Sequence, residues 1–261
     1  MKITIVQQNI HWADCKRNAL EADELIGSAG ESDIYVLPEM WNSGFAISGE
    51  ALRCSAKADT LACMKHFARE RNAAVCGSVA IEDKDAETAS TAKYRNRLFF
   101  VKPDGTFSYY DKRHLFRHGG EDKFFLPGSE RAIATWKGWR FLLLICYDLR
   151  FPVWSRYNGD YDGIIIVANW PSCRQTAWDT LLKARAIENQ CYVIGCNRVG
   201  DDPRNHYAGG SCIIGPDGSV IAHCPDEEAW AVKTEISLEE LKRYRAEYNF
   251  LADKDNNIKN I

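Results

Sequence analysis

The chain has 261 residues, 46% of them hydrophobic, which suits one large folded domain or two small ones. Its formal net charge of −3 gives no basic excess, and this argues against nucleic acid or an anionic membrane as a partner. No apolar run approaches the roughly 18 residues of a membrane span, and the start "MKITIVQQNI" lacks the apolar core of a signal peptide. We therefore expect a cytoplasmic protein.

Ten cysteines are spread along the chain, and many lie inside apolar runs, namely Cys76, Cys146, Cys191, Cys196 and Cys212. Free cysteine behaves as a small buried hydrophobe, and the chain is long and shows no export signal. We therefore expect mostly structural thiols in a reducing compartment. A zinc site is not expected, because the chain has neither a C-x-x-C pair nor an H-E-x-x-H motif.

Runs rich in valine, isoleucine and aromatic residues predict strands along the whole chain. In chain order these are 2–8, 33–39, 73–81, 96–102, 106–112, 140–146, 163–169, 191–197, 209–215, 219–224 and 230–236. Helical patterns lie between them at 14–30, 59–72, 174–190 and 237–248. Asp14 and Asp59 are placed to cap the first two helices, and Ser237 with Glu240 has the spacing of a capping box.

The pattern at 174–190 predicts one apolar face made of Trp178, Leu181, Leu182, Ala186 and Ile187. Two Pro-Asp-Gly turns, at 102–107 and 215–220, each separate two strands and predict hairpins. Strands that alternate with helices, combined with hairpins, predict an α/β protein of mixed sheets covered by helices. The paired hairpins also hint at two pseudo-symmetric halves.

No linker rich in proline, glycine and serine divides the chain, so we expect one domain over residues 1–261. The stretch 81–93 is the most loop-like, and the polar tail 252–261 is expected to form an arm rather than core.

The stretch "LLLICYDLRF" (142–151) runs through apolar residues into Cys146 and then turns polar. In open α/β sheets, ligands bind where strands end, so a thiol at this point is a candidate nucleophile. An ordinary thiol is barely ionised at neutral pH and needs a base or a positive charge beside it. Composition alone would favour one more buried cysteine.

Two other strands end in charged residues. Glu39 follows the buried run "IYVLP", and a partly buried carboxylate there can serve as a general base. Lys112 follows the aromatic strand "FSYYD", and its ammonium can lower a thiol pKa or hold an oxyanion. Taken singly, Glu39 fits a surface loop and Lys112 fits a solvated basic cluster with Arg113.

Together these residues resemble a known family. Glu39 in "LPEM", Lys112 in "DKRHLF" and Cys146 in "ICYDLRFP" are similar, in this order, to the Glu-Lys-Cys triad of the nitrilase superfamily of carbon–nitrogen hydrolases. The resemblance runs from residue 2 to about 235 and includes "NWP" (169–171) and "ARAIENQ" (184–190). Within the superfamily the chain looks most like the ω-amidase branch, which releases ammonia from ω-amides of short dicarboxylic acids such as α-ketoglutaramate.

The resemblance implies a four-layer αββα sandwich of the nitrilase type, paired into a homodimer or larger homo-oligomer, with residues 236–261 as a C-terminal helix and an arm over the partner subunit. It also implies a reaction without metal or organic cofactor. Cys146 attacks the amide carbonyl, Glu39 takes the proton, and Lys112 with the backbone N–H of Tyr147 holds the oxyanion. Glu121 is the candidate supporting carboxylate, because the two glycines before it would let its loop turn inward.

An ω-amide carries a carboxylate at its far end, which arginine suits well. The candidates are Arg117, Arg150 and Arg174, of which Arg174 opens a helical pattern. Phe45, Trp170 and Tyr147 are candidate pocket walls. Two departures from the ω-amidase pattern leave the exact substrate open: residues 41–43 are Trp-Asn-Ser where an aromatic and two threonines are expected, and Gly210 replaces an acidic residue.

Other classes were compared with this interpretation. A serine hydrolase is disfavoured because "GGSCI" (209–213) lacks the last glycine of the nucleophile elbow. A zinc hydrolase using His114 and His118 lacks a third ligand. A non-catalytic binding module would be favoured only if a triad residue were replaced. A nitrilase, an aliphatic amidase, an N-carbamoyl amidase or a β-ureidopropionase stays open, since these enzymes share the triad.

Overall fold

The computed structural model describes residues 1–84 and 92–255. The strands are β1 (Lys2–Gln7), β2 (Ile34–Val36), β3 (Ala74–Glu82), β4 (Tyr94–Val101), β5 (Phe107–Asp111), β6 (Ile133–Trp136), β7 (Trp139–Ile145), β8 (Gly163–Val167), β9 (Tyr192–Cys196), β10 (Val199–Asp201), β11 (His206–Ala208), β12 (Cys212–Ile214), β13 (Val220–His223) and β14 (Trp230–Glu235). The helices are α1 (Cys15–Ser28), α2 (Gly49–Lys57), α3 (Thr60–Glu70), α4 (Pro152–Ser155), α5 (Gln175–Asn189) and α6 (Leu238–Glu247).

Two sheets of the described residues repeat one arrangement of strands. The first has the order β14-β1-β2-β3-β4-β5 and the second β6-β7-β8-β9-β12-β13. In each, three neighbouring strands are parallel, a hairpin continues the sheet on one side, and an antiparallel strand closes the other. Both predicted Pro-Asp-Gly hairpins are confirmed, as β4–β5 and β12–β13, and so is the predicted pseudo-symmetry.

The sheets pack face to face, with helices outside. Successive side chains of a strand point to opposite faces, so Val36 belongs to the same buried cluster as Leu144 of the other sheet, whereas Tyr35 belongs to an outer cluster with Phe67 of α3. On the far side, Leu182 of α5 joins the cluster that includes the second sheet. The predicted four-layer αββα sandwich is therefore confirmed.

The helix starts agree with the predicted caps. The Asp14 side chain accepts a hydrogen bond from the Arg17 N–H, Asp59 accepts one from Ala62, and Ser237 accepts one from Glu240. Helices α2 and α4 were not predicted.

One part of the prediction for α5 is wrong. Trp178, Leu182 and Ala186 are buried and Leu181 is half-buried, but the Ile187 side chain is 53% exposed. At about 100° per residue, Ile187 lies half a turn away from Trp178 around the helix axis. The two residues therefore cannot share a face.

The predicted loop 81–93 and tail 252–261 lie partly outside the described residues, which omit 85–91 and 256–261. All ten cysteines are described, and all are free thiols. In the described ranges no helix has the length and apolar character required to cross a membrane.

Candidate active site

Strand ends from both sheets place Glu39, Lys112 and Cys146 at one point. Glu39 follows β2, Lys112 directly follows β5, and Cys146 directly follows β7. The Lys112 Nζ lies 2.8 Å from Glu39 Oε1, and both side chains are buried. Both charges act on the Cys146 thiol, which donates a long hydrogen bond to the Asn169 carbonyl, with 3.8 Å between Sγ and the oxygen.

Two asparagines orient the Glu39 carboxylate. The Asn96 amide on β4 donates to Oε1 at 2.8 Å. The backbone N–H of Asn169, which lies just beyond β8, donates to Oε2 at 2.9 Å. The Asn169 side chain also donates to the Glu39 carbonyl at 2.6 Å. These bonds fix the carboxylate with both oxygens paired.

Glu121 comes to the same place on a short 3-10 turn. Its carboxylate oxygens lie 2.9 and 3.1 Å from Lys112 Nζ, and Oε2 also accepts the Phe116 N–H at 2.6 Å. Both glycines before it are needed: Gly120 has φ +77°, and a Cβ on Gly119 would lie 2.6 Å from the Phe116 ring. The expectation that this loop turns inward is confirmed.

Burial and charge set the protonation of the cluster. Burial would lower the pKa of Lys112, but Glu121 and Glu39 outweigh it and raise that pKa, so the amine stays an ammonium. Burial raises the pKa of Glu121, and the Lys112 charge opposes this rise. Burial and the Glu39 charge hold the pKa of Cys146 well above its usual value, although Lys112 opposes them. The resting thiol is therefore protonated, and it needs a base in order to react.

Cys146 has an unusual backbone, with φ +46°, at the start of a 3-10 helix. The buried Asp148 fastens this turn, since its carboxylate accepts the N–H groups of Ile145 at 3.0 Å and His114 at 2.9 Å. It also accepts the Tyr110 hydroxyl at 2.9 Å and His114 Nδ1 at 2.8 Å. The turn that presents the thiol is thus tied to the segment just after Lys112.

An open cavity of about 450 Å³ leads to Cys146 and Lys112. The predicted walls Phe45, Trp170 and Tyr147 all line it. Glu39 and Glu121 lie behind these residues, fully buried. A small molecule that enters this cavity therefore meets the sulfur and the ammonium first, whereas the two carboxylates do not line the cavity.

The model of the carbon–nitrogen hydrolase family matches residues 2–246. The chain belongs to this family. It is 43% identical to an omega-amidase, YafV, of Yersinia enterocolitica, over 98% of this chain and 97% of the relative. It is also 33% identical to a 2-oxoglutaramate amidase of Bacillus subtilis strain 168, over 93% of each chain.

Solved structures of other carbon–nitrogen hydrolases share the fold. XC1258 from Xanthomonas campestris, a superfamily protein with an arsenic adduct in its active site, superimposes with a TM-score of 0.91 at 39% identity, covering 99% of this chain and 98% of that one. A mutant amidase from Nesterenkonia sp. AN1 has a TM-score of 0.79 at 21% identity, with 97% and 99% covered. In that amidase, acrylamide has added to the active-site cysteine.

The three candidate arginines of this carbon–nitrogen hydrolase occupy different places. Arg174 is half-buried, lines the cavity and lies 5.2 Å above the Phe116 ring. Arg150 is exposed at the cavity edge, 4.9 Å from the Trp170 ring, whereas Arg117 does not line the cavity. Among the described residues, no carboxylate pairs with Arg174 or Arg150.

Further cations lie at the cavity mouth, where Lys123 and Arg204 are exposed. The one acidic residue of the described lining is Asp202. Its oxygens are already used, by the Tyr207 hydroxyl at 2.5 Å and by the N–H groups of the 202–205 turn. The cavity therefore presents positive charge to a ligand.

Both departures from the ω-amidase pattern lie outside the described cavity lining. Trp41 and Asn42 are buried, and the Asn42 amide donates to the Thr60 hydroxyl at 2.9 Å. Gly210 has φ +74°, and a Cβ there would lie 2.2 Å from the Gln175 amide. An acidic residue at position 210 would need a different backbone and a displaced Gln175.

The structure also places the residues that a serine hydrolase or a zinc hydrolase would use. Ser211 of "GGSCI" is buried and exchanges hydrogen bonds with the Asn197 backbone. His114 is bound to Asp148, whereas His118 is exposed at the cavity. Over residues 1–84 and 92–255, no group of three His, Cys, Asp or Glu side chains is arranged to hold a metal ion.

Three residues of the site were missed by the sequence reasoning. Asn169 follows a buried strand, as Cys146 does, so the rule about strand ends applied to it as well. Asp148 was seen only as the point where the chain turns polar. Asn96 lies inside β4, and nothing in its surrounding sequence distinguishes it from other strand residues.

Proposed function

We propose that this carbon–nitrogen hydrolase is an ω-amidase, which hydrolyses the terminal amide of a short dicarboxylic acid monoamide, such as α-ketoglutaramate or succinamate, to acid and ammonia. The observation that carries the proposal is that Cys146 and the half-buried Arg174, which pairs with no carboxylate of the described residues, line the same cavity. A ligand with an amide at one end and a carboxylate at the other can meet both. The similarity to an omega-amidase and a 2-oxoglutaramate amidase supports the same substrate class.

In the proposed first half-reaction, the Cys146 sulfur attacks the amide carbon while Glu39 takes the thiol proton. The negative charge moves to the carbonyl oxygen, which Lys112 and the backbone N–H of Tyr147 stabilise. The first N–H groups of a helical turn have no partner within the helix, which suits Tyr147 to this role. Removal of one such donor typically lowers kcat by about 10²–10³-fold. When the C–N bond breaks, the proton on Glu39 passes to the leaving nitrogen, and ammonia departs.

The second half-reaction hydrolyses the thioester on Cys146. Glu39, again a carboxylate, takes a proton from a water molecule as the water oxygen attacks the thioester carbon. The C–S bond then breaks, and the proton returns to the sulfur. In this scheme Glu121 does not touch the substrate but holds the Lys112 ammonium from the buried side. Every proton is carried by residues of the cluster, so the scheme needs no cofactor.

Arg174 is the proposed partner of the substrate carboxylate, with Phe45 and Trp170 as apolar walls. A guanidinium binds a carboxylate through two parallel hydrogen bonds. Arg174 fits better than Arg150 or Arg117 because it is partly removed from water, where such bonds are stronger.

We also propose a single domain over residues 1–261, a homodimer and a cytoplasmic location. Val153, Ile187 and Phe250 are apolar side chains more than half exposed on α4, α5 and the segment after α6. Val153 lines one groove with Glu188 and Leu251, the chain neighbours of the other two, and exposed apolar side chains around such a groove are typical of a surface that is covered by another subunit. The C-terminal arm predicted for residues 236–261 begins with α6, and its last six residues lie outside the described part of the chain.

A substrate panel tests the proposed activity. Ammonia release by the native protein would be measured with succinamate, α-ketoglutaramate and butyramide, which has the length of succinamate but no carboxylate. A nitrile and an N-carbamoyl amino acid complete the panel. We expect kcat/KM for the two ω-amides to exceed that for butyramide by about 10–100-fold, since one charged hydrogen-bonded contact is lost. A preference for the nitrile or the carbamoyl compound would contradict the proposal.

A further inference from the structure

Lys112 meets three carboxylate oxygens at hydrogen-bonding distance: Glu39 Oε1, Glu121 Oε1 and Glu121 Oε2. An ammonium has three N–H donors. In the resting site, the ammonium is therefore fully occupied by the two carboxylates. If Lys112 is to hold the oxyanion of the proposed reaction, one of these contacts has to be given up, and a buried carboxylate oxygen would lose a donor.

Asn96 bonds the same oxygens. Its Nδ2 lies 2.8 Å from Glu39 Oε1 and 3.1 Å from Glu121 Oε1, so its two N–H groups serve one carboxylate each. These are two of the three oxygens that Lys112 contacts. The remaining oxygen, Glu121 Oε2, has the Phe116 N–H as a second donor. Every carboxylate oxygen next to Lys112 thus has a partner that does not depend on the ammonium.

We propose that Asn96 is a positioning residue that keeps Glu39 and Glu121 hydrogen-bonded while Lys112 turns one N–H toward the reacting oxygen. The inference rests on the proposed amidase reaction. The backbone of Asn96 supports the same arrangement, since its carbonyl accepts a hydrogen bond from the backbone N–H of Lys112 at 3.0 Å. One strand residue thereby fixes the start of the lysine side chain and both of its counter-ions.

The titrating groups around this amide are few. Glu39 faces Lys112 and Cys146, and Glu121 faces Lys112 and Glu39. From the neighbouring strands, β4 supplies Asn96 and β8 leads to Asn169, and neither amide titrates. A donor to a carboxylate favours its charged form, so loss of the Asn96 donor raises the pKa of Glu121 further above its usual value, above which burial already holds it. Since Glu121 holds the Lys112 ammonium only when it is ionised, the acid limb of the pH profile then moves to higher pH.

The experiment compares native protein with Asn96→Ala and Asn96→Ser, using succinamate hydrolysis over a range of pH. For Asn96→Ala we expect kcat to fall about 10–100-fold, the effect of one charge-assisted hydrogen bond, with KM nearly unchanged and the acid limb of kcat/KM at higher pH. A serine hydroxyl can donate to only one carboxylate. The kcat of Asn96→Ser should therefore lie between the values of native protein and Asn96→Ala. This variant also provides the measurement if the alanine variant does not fold.

Asn189→Ala is a matched control. Asn189 is also a buried amide that donates to a carbonyl, at 2.9 Å, and to a carboxylate, Glu188, at 3.3 Å, but it lies at the end of α5. It should lose stability without any shift in the pH profile. If the folded Asn96 variants keep kcat within about twofold, or lose activity equally at all pH values, the inference is overturned.

A second readout separates this inference from the proposed function. The rate at which iodoacetamide alkylates Cys146 depends on the thiol and its base, and it needs no substrate. Its acid limb should also move to higher pH in Asn96→Ala but not in Asn189→Ala. If the native protein hydrolyses no amide yet the alkylation profile shifts, the proposed function fails and the role of Asn96 stands. If the profile does not shift, the role of Asn96 is wrong whatever the substrate is.

Discussion

The thiol of Cys146 has a carboxylate and an ammonium as neighbours, and they act on it in opposite directions. Burial and the Glu39 charge hold its pKa high, whereas Lys112 favours the negative charge. The resting sulfur is thus a weak nucleophile that becomes strong when Glu39 removes its proton. This arrangement differs from a thiolate–imidazolium pair, in which the sulfur is already charged before substrate binds.

We expect the selectivity for ω-amides to depend on the side chain of Arg174. Arg174→Ala should raise KM for succinamate about 10–100-fold and leave kcat nearly unchanged, because the lost contact binds ground state and transition state alike. Steady-state kinetics with butyramide should show no change, since that substrate has no carboxylate.

Arg117→Ala is the matched control for this prediction. Arg117 is an exposed arginine that does not line the cavity, so its replacement should change kcat/KM for neither substrate. An equal loss of kcat/KM for succinamate and butyramide in Arg174→Ala would mean that Arg174 supports the fold or the chemistry and does not bind the substrate carboxylate.

The sequence predicted those site residues that lie at strand ends. Glu39, Lys112 and Cys146 each follow a run whose apolar pattern marks a buried strand. The resemblance to the nitrilase superfamily then grouped them as one catalytic triad. Asn96 could not be found in this way. It matters because β4 lies between β3 and β5 in the first sheet, which brings Asn96 next to Glu39 and Lys112. That proximity follows from the order of the strands in the folded sheet and not from the local sequence.

At the level of elements, the turn after β7 determines where the thiol points. Cys146 has a left-handed backbone, which is costly for a residue with a Cβ. Asp148 offsets this cost by joining that turn to the segment after β5. The same carboxylate therefore stabilises the fold and sets the distance between nucleophile and ammonium.

Asp148→Ala should lower the free energy of unfolding by about 3 kcal/mol or more, because the buried donors of Ile145, His114 and Tyr110 lose their acceptor. Urea denaturation measures this loss.

Asp160→Ala is the control for the change at Asp148. Asp160 pairs with Arg131 at 2.9 Å but is partly exposed, so its removal should cost less than about 1 kcal/mol. Similar losses in the two variants would show that the Asp148 bonds add nothing beyond an ordinary surface pair.

The elements that the sequence missed or misplaced have physical explanations. Strands β6, β10 and β11 have three or four residues each, too few for a period-2 pattern to stand out. Ile187 was placed on the buried face by its apolar character, although its angular position puts it on the opposite side of α5. Periodicity therefore predicted the helix correctly, whereas hydrophobicity alone misplaced one of its residues.

At the level of the whole molecule, the site lies between the two sheets. Glu39 and Lys112 follow strands of the first sheet, and Cys146 and Asn169 follow strands of the second. Face-to-face packing of inner residues such as Val36 and Leu144 therefore aligns the base and the nucleophile. The chemistry depends on the sandwich as a unit, and neither sheet contains a complete site.

The most direct test of the central claim is the rate of ammonia release from succinamate by Cys146→Ala relative to native protein, with circular dichroism to show that both are folded. We predict that the variant loses at least about 10³-fold in kcat, because the covalent route through the thioester is closed. If folded Cys146→Ala released ammonia at the native rate, the strand end at Cys146 would not supply the nucleophile, and the account of this site would be wrong.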